Sequence, residues 1–226
     1  MKTIFSFLTI ILALNTINAQ PLVKEYETKE CLVHDANQLT EQFSVFIHNN
    51  GIDLPYIPGV EVATTYKLIY CDPENKRIVL PIWQELYPEQ RTLFARWKGD
   101  EAQQFYISMF NWYFIAHEMG HFTMFTNPDL HISAYETEHR ANIIAISFFR
   151  STGENRKRLL QIENSLQEVL KGLPAIDLEN MTEEDYFNAN YQKLGNNPDA
   201  YAYFQFKFIL DIMKDNGQYK IADVIK

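Results

Sequence analysis

The sequence is poor in the residues that mark irregular or extended proteins. Only 8 of its 226 residues are glycine and 9 are proline, which excludes a collagen-like or low-complexity chain. Charged residues make up 22% and hydrophobic residues 46%, too apolar a balance for broad disorder and enough for one sizeable core. No block of Lys and Arg appears, and the net charge is −9, so a nucleic-acid partner is not expected. Two cysteines, Cys31 and Cys71, are too few for a disulfide framework and lack the paired C-x-x-C spacing of a structural zinc site. They could pair with each other or remain two thiols.

No apolar run reaches the ~20 residues that span a bilayer. The longest is Ile4 to Leu14, broken only by Ser6 and Thr9. Lys2 precedes it and Ile17-Asn18-Ala19 follows, ending in a small residue. This is the pattern of a secretory signal peptide over residues 1–19, with cleavage before Gln20. It predicts a secreted or periplasmic protein, with no membrane segment after processing. Residues 20–226 are read as one domain.

What is present is helical periodicity and one strand signal. A first helix is expected from a cap at Asp35 to Asn49-Asn50-Gly51, with Leu39, Phe43, Phe46 and Ile47 on one face. Val62 to Tyr70 is rich in β-branched and aromatic residues, Asp72-Pro73-Glu74-Asn75 forms a turn, and Arg77 to Leu80 returns. The pattern predicts a β-hairpin within a small sheet, with Arg77–Leu80 as a possible edge for strand addition. From about Glu101 the pattern is helical. Helices are expected from there to Phe125, over Ala134–Arg150 and Glu154–Lys171, after Thr182, from Pro198, and after Gly217. The expected class is α+β, mostly α. Leu159, Ile162, Leu166, Val169 and Leu170 form a scaffold stripe in the C-terminal half.

His117-Glu118-Met119-Gly120-His121 lies inside the long helix. Histidines at i and i+4 project from one face, so both imidazoles can reach one tetrahedral Zn²⁺. Glu118 is then placed to act as general base without ligating. Chance would yield the pattern in a chain of this composition about once in a hundred shuffles. Its flanks, Phe110, Trp112 to Ile115, Phe122, Met124 and Phe125, make the helix apolar nearly all round. Two buried histidines and a glutamate there need partners, and a metal satisfies all three.

A catalytic zinc wants a third protein ligand. The candidates are His131, Glu136, Glu138 and His139. Met124 and Asn127 stand where the metzincin pattern requires Gly and His, which excludes that class. Glu136 is explained by a capping box with Ser133. Glu138 is left free, one turn before Asn142, whose amide can bond the far nitrogen of a ligating imidazole. His131 is the second choice, and His139 reads as an exposed helix residue. His131, Tyr135, Tyr191, Tyr201 and Tyr203 are the candidate oxyanion donors, with no choice among them.

His117-Glu118-x-x-His121 followed by Glu138-x-x-Ala141-Asn142 resembles the gluzincin class of zinc peptidases. The segment from Tyr135 to Ala145 is similar to secreted bacterial proteins classed as metallopeptidases and to ImmA/IrrE-type peptidases. The resemblance covers roughly residues 62–150. It implies a zincin-like fold with a small sheet packed on the active-site helix, metal ligands His117, His121 and Glu138, and a supporting Asn142. It implies a peptide or protein substrate. Asn142 stands where many members have Asp and brings no charge. Alternatives are a zinc amide hydrolase acting on cell-wall peptides and a non-catalytic secreted zinc-binding or inhibitor module.

Overall fold

The computed structural model describes residues 24–127, 129–215 and 219–226; the expected signal peptide lies outside them. The first helix, α1, runs Lys29–Asn49, starting six residues before the expected cap. Thr28 is the N-cap, its hydroxyl accepting from the Cys31 N–H, and Asp35 instead lies within the helix, ion-paired to Lys24 at 2.7 Å. Leu32, Ala36, Leu39, Phe43 and Ile47 form its buried stripe.

Three short strands follow: β1 (Gly59–Val62), β2 (Tyr70–Asp72) and β3 (Arg77–Leu80). β2 and β3 form the expected antiparallel hairpin, and Lys76 takes the left-handed conformation in its turn (φ 55). The stretch from Val62 to Tyr70 is not one strand. β1 pairs with β3 in parallel, on the side opposite β2. Residues 63–69 must therefore carry the chain across to the far edge, which regular pairing does not allow. Gln90 holds this crossing segment by donating to the Thr65 and Tyr66 carbonyls. The central strand is thus β3. Arg77–Leu80 is not an edge, because β1 and β2 occupy both its sides.

The helical half begins with α2 (Pro88–Lys98), which periodicity missed. Its signal was local: Pro88 at the first helical position, and Gln90 whose side chain accepts from the Tyr87 N–H at 2.9 Å. The expected long helix is three pieces, α3 (Ala102–Ser108), a π turn (Met109–Tyr113) and α4 (Phe114–Phe125). The Phe114 N–H bonds to Met109 O, five residues back, so one extra residue enters the turn. Then come α5 (Ala134–Arg150), α6 (Gly153–Gly172), α7 (Glu183–Gly195), α8 (Pro198–Lys214) and α9 (Ile221–Val224), close to the expected spans. The class is α+β, mostly α.

α4 is the axis of the main core. Phe114, Ile115, Ala116 and Met119 are buried on it, and α5 packs alongside through Ala141, Ile144 and Ala145. The α6 stripe of Leu159, Ile162, Leu166 and Val169 closes the far side. A satellite cluster of Phe187, Leu194, Ala200, Phe204 and Phe208 joins α7 to α8. No helix among the described residues is long and apolar enough to cross a membrane. Cys31 lies exposed on α1 and Cys71 sits half-buried in β2, unbridged.

Candidate metal centre

One helical turn separates His117 from His121, and the α4 backbone places both rings on the face that meets α5. Their Nε2 atoms lie 3.0 Å apart. Glu118 brings a carboxylate oxygen within 4.8 Å of them, so His117, Glu118 and His121 form a group that could hold a metal ion. Glu138 approaches more closely than Glu118. Its Oε2 is 3.2 Å from His117 Nε2 and 3.4 Å from His121 Nε2. Three oxygen and nitrogen donors thus form a near-equilateral triangle. His117, His121 and Glu138 are all buried, at 3%, 9% and 5% exposure, so these polar groups have only one another and their neighbours as partners.

Asn142 fixes the orientation of His117. Asn142 Nδ2 donates to the Glu138 main-chain carbonyl at 3.0 Å, and a carbonyl can only accept. Asn142 Oδ1 therefore faces His117, 3.1 Å from Nδ1. His117 therefore carries a proton on Nδ1, and its Nε2 is directed at the triangle. The Tyr113 hydroxyl donates to the same Asn142 oxygen at 2.9 Å; it comes from the π turn. Asn142 thus reaches the far nitrogen of His117 without bringing a charge.

Glu138 is held from α7 and α8 as well. Tyr191 and Tyr201 donate to its Oε1 at 3.3 and 3.1 Å, and Gln205 Nε2 donates to Oε2 at 2.9 Å. Two donors on Oε1 turn Oε2 toward the imidazoles. Burial disfavours the Glu138 charge, but His121 and His117 outweigh it and hold the carboxyl well below the usual range. Burial likewise opposes a proton on His121, and Glu138 outweighs it, so that imidazole titrates above its ordinary value. Burial and the nearby Glu138 push Tyr191 up to about 12 and Tyr201 well above its ordinary value, so both hydroxyls remain donors at neutral pH.

The other candidates lie elsewhere. His131 is exposed in the loop before α5. Ser133 Oγ accepts from the Glu136 N–H at 3.1 Å as the cap predicts, but the Glu136 carboxylate reaches Arg140 (3.3 Å) instead of folding back. His139 is half-buried rather than exposed, stacked on Tyr135 and edge-on to Phe208. Tyr135 and Tyr203 belong to the satellite cluster. Gln205 and Tyr113 escaped sequence reasoning. Gln205 is a polar residue in the apolar run of α8 and is 3% exposed, a buried amide that had to find partners.

One contact comes from the sheet. Glu118 Oε2 accepts from the Cys71 N–H of β2 at 2.8 Å. The Cys71 thiol is pushed up to about 12, first by burial and then by the Glu118 charge, and stays protonated.

Comparison of the chain with protein-family models, with curated proteins and with solved structures yields no match.

Proposed function

We propose that this protein is a secreted zinc-dependent peptidase, with His117, His121 and Glu138 as metal ligands and Glu118 as general base. The observation that carries this reading is the donor triangle, with sides of 3.0, 3.2 and 3.4 Å. Ligands about 2.0–2.2 Å from a tetrahedral zinc stand about 3.3–3.6 Å from one another, slightly wider than this triangle, and two imidazoles with one carboxylate are a catalytic zinc set with one position left open. Zinc bound there would supply Lewis acidity, polarising a carbonyl and acidifying water.

The chain's own residues do the rest. Asn142 keeps the His117 proton on Nδ1. Tyr191, Tyr201 and Gln205 keep one Glu138 oxygen facing inward. Glu118 lies next to the triangle without closing it, placed to take a proton from water and hand it to a leaving amine. β2 is the sheet edge beside α4, which suits an extended peptide as substrate. Secretion rests on the leader pattern of residues 1–19.

The test is metal content and turnover together. Purified protein should hold one zinc per chain and cleave casein or a peptide library, and Glu118→Gln should keep the zinc and lose turnover. Cleavage of isolated cell wall but not casein would redirect the activity to wall peptides. Zinc bound with neither substrate cleaved would leave a binding module and overturn the enzyme.

A further inference from the structure

At the free edge of the sheet, the register turns one residue's main chain outward. In an antiparallel pair, residues alternate between those that exchange both hydrogen bonds with their partner and those that turn both groups away. Tyr70 faces Val79, Cys71 faces Ile78 and Asp72 faces Arg77. The Cys71 N–H points to Glu118, so Cys71 is the outward-turned residue and its carbonyl faces the same side. Flanked by the irregular segment 63–69 and the turn after Asp72, it is the pairing point an incoming strand would use.

We propose that Glu118 plugs this edge: its carboxylate holds the outward main-chain donor of Cys71 that an extended peptide must take, so peptide entry must displace Glu118. The purpose of the plug rests on the peptidase reading above; its geometry does not. A carboxylate bound to an N–H is a stronger partner than a peptide carbonyl. An entering strand therefore trades a strong bond for a weaker one at Cys71 and binds less tightly than the bare edge would allow. A ligand too short to pair with Cys71 leaves the plug in place. Peptide pairing at Cys71 and displacement of Glu118 from the edge thus become one event, which compounds that do not lie along the strand do not trigger.

The experiment uses the full chain stripped of metal by a chelator, so that it does not depend on zinc. The probe is a capped, uncharged hexapeptide of alternating threonine and valine, titrated calorimetrically into wild type, Glu118→Gln and Glu118→Ala. Affinity should rise about tenfold in the alanine variant, the scale of one charge-assisted hydrogen bond. The rise should be smaller in the glutamine variant, whose amide oxygen still accepts. The Cys71 amide resonance should move on Glu118→Ala and move back when peptide is added. Equal affinities, no binding by the alanine variant, or a Cys71 amide indifferent to the substitution would each overturn the plug. A protein that passes this test but holds no zinc would keep the plug and lose the peptidase.

Discussion

Gly120 and Ala141 are in backbone contact: a Cβ built on Gly120 would lie 2.9 Å from Ala141 O and 3.0 Å from Ala141 Cα. The contact is helix against helix, so neither side can yield by rotating a side chain. It sets how near α4 lies to α5, and so how near His117 and His121 lie to Glu138. Gly120→Ala should therefore act on both fold and site. A destabilisation of about 1–3 kcal/mol is expected from overpacking, together with weaker zinc binding. Urea denaturation and zinc titration measure the two, and an alanine variant as stable as wild type would show that α4 and α5 can part without cost.

Asn142 and Gln205 should matter for the metal rather than for the chemistry. Asn142→Leu leaves the His117 Nδ1 proton without its acceptor and should cost about 10- to 100-fold in zinc affinity. Asn142→Asp keeps an acceptor toward His117 and should retain most of it. Gln205→Leu should fall between the two. Competition against a chromogenic chelator reads these affinities, and an Asn142→Leu protein that binds zinc normally would remove Asn142 from the site.

Zinc should reverse the pH dependence of stability near neutrality. His121 titrates above its ordinary 6.5 because Glu138 outweighs the effect of burial. In the metal-free protein that contribution is present below 6.5 and is lost as pH rises through the raised value. Zinc requires the neutral imidazole, so its stabilisation should grow over that same rise and shrink in acid. With zinc at 100 times its dissociation constant the gain is about 2.7 kcal/mol. Thermal melts with and without chelator across this range check the sign, and parallel curves would count against zinc at His121.

The two thiols should behave differently. Cys31 is exposed and Cys71 is held up to about 12. A thiol reagent at neutral pH should label Cys31 first and Cys71 only slowly, since the thiolate is the reactive form. Intact mass under non-reducing conditions should show no internal bridge. Rapid double labelling would place Cys71 in a more open setting than β2 provides.

The sequence-local features were legible because short spacing along a helix is already geometry. His117 and His121 share a face by their separation of four, Ser133 caps α5, and Glu138 and Asn142 follow on one face. The ends of α5 and α8 follow from Ser133 and from Asn197-Pro198. The strand signal was half right for a related reason: residue type marks extended backbone, but not which side of β3 a strand joins.

What the amino-acid order determined by itself is the mostly helical class, the His-Glu-His group and the acidic residue meant to face it. Only the tertiary structure decided the parallel β1–β3 pairing, the π turn that brings Tyr113 to Asn142, the reach of Tyr191, Tyr201 and Gln205 to Glu138, and the Cys71 N–H on Glu118. Each of these joins segments far apart in the chain, where partners are chosen by packing and by the need of buried polar groups for hydrogen bonds, and no local periodicity records that choice.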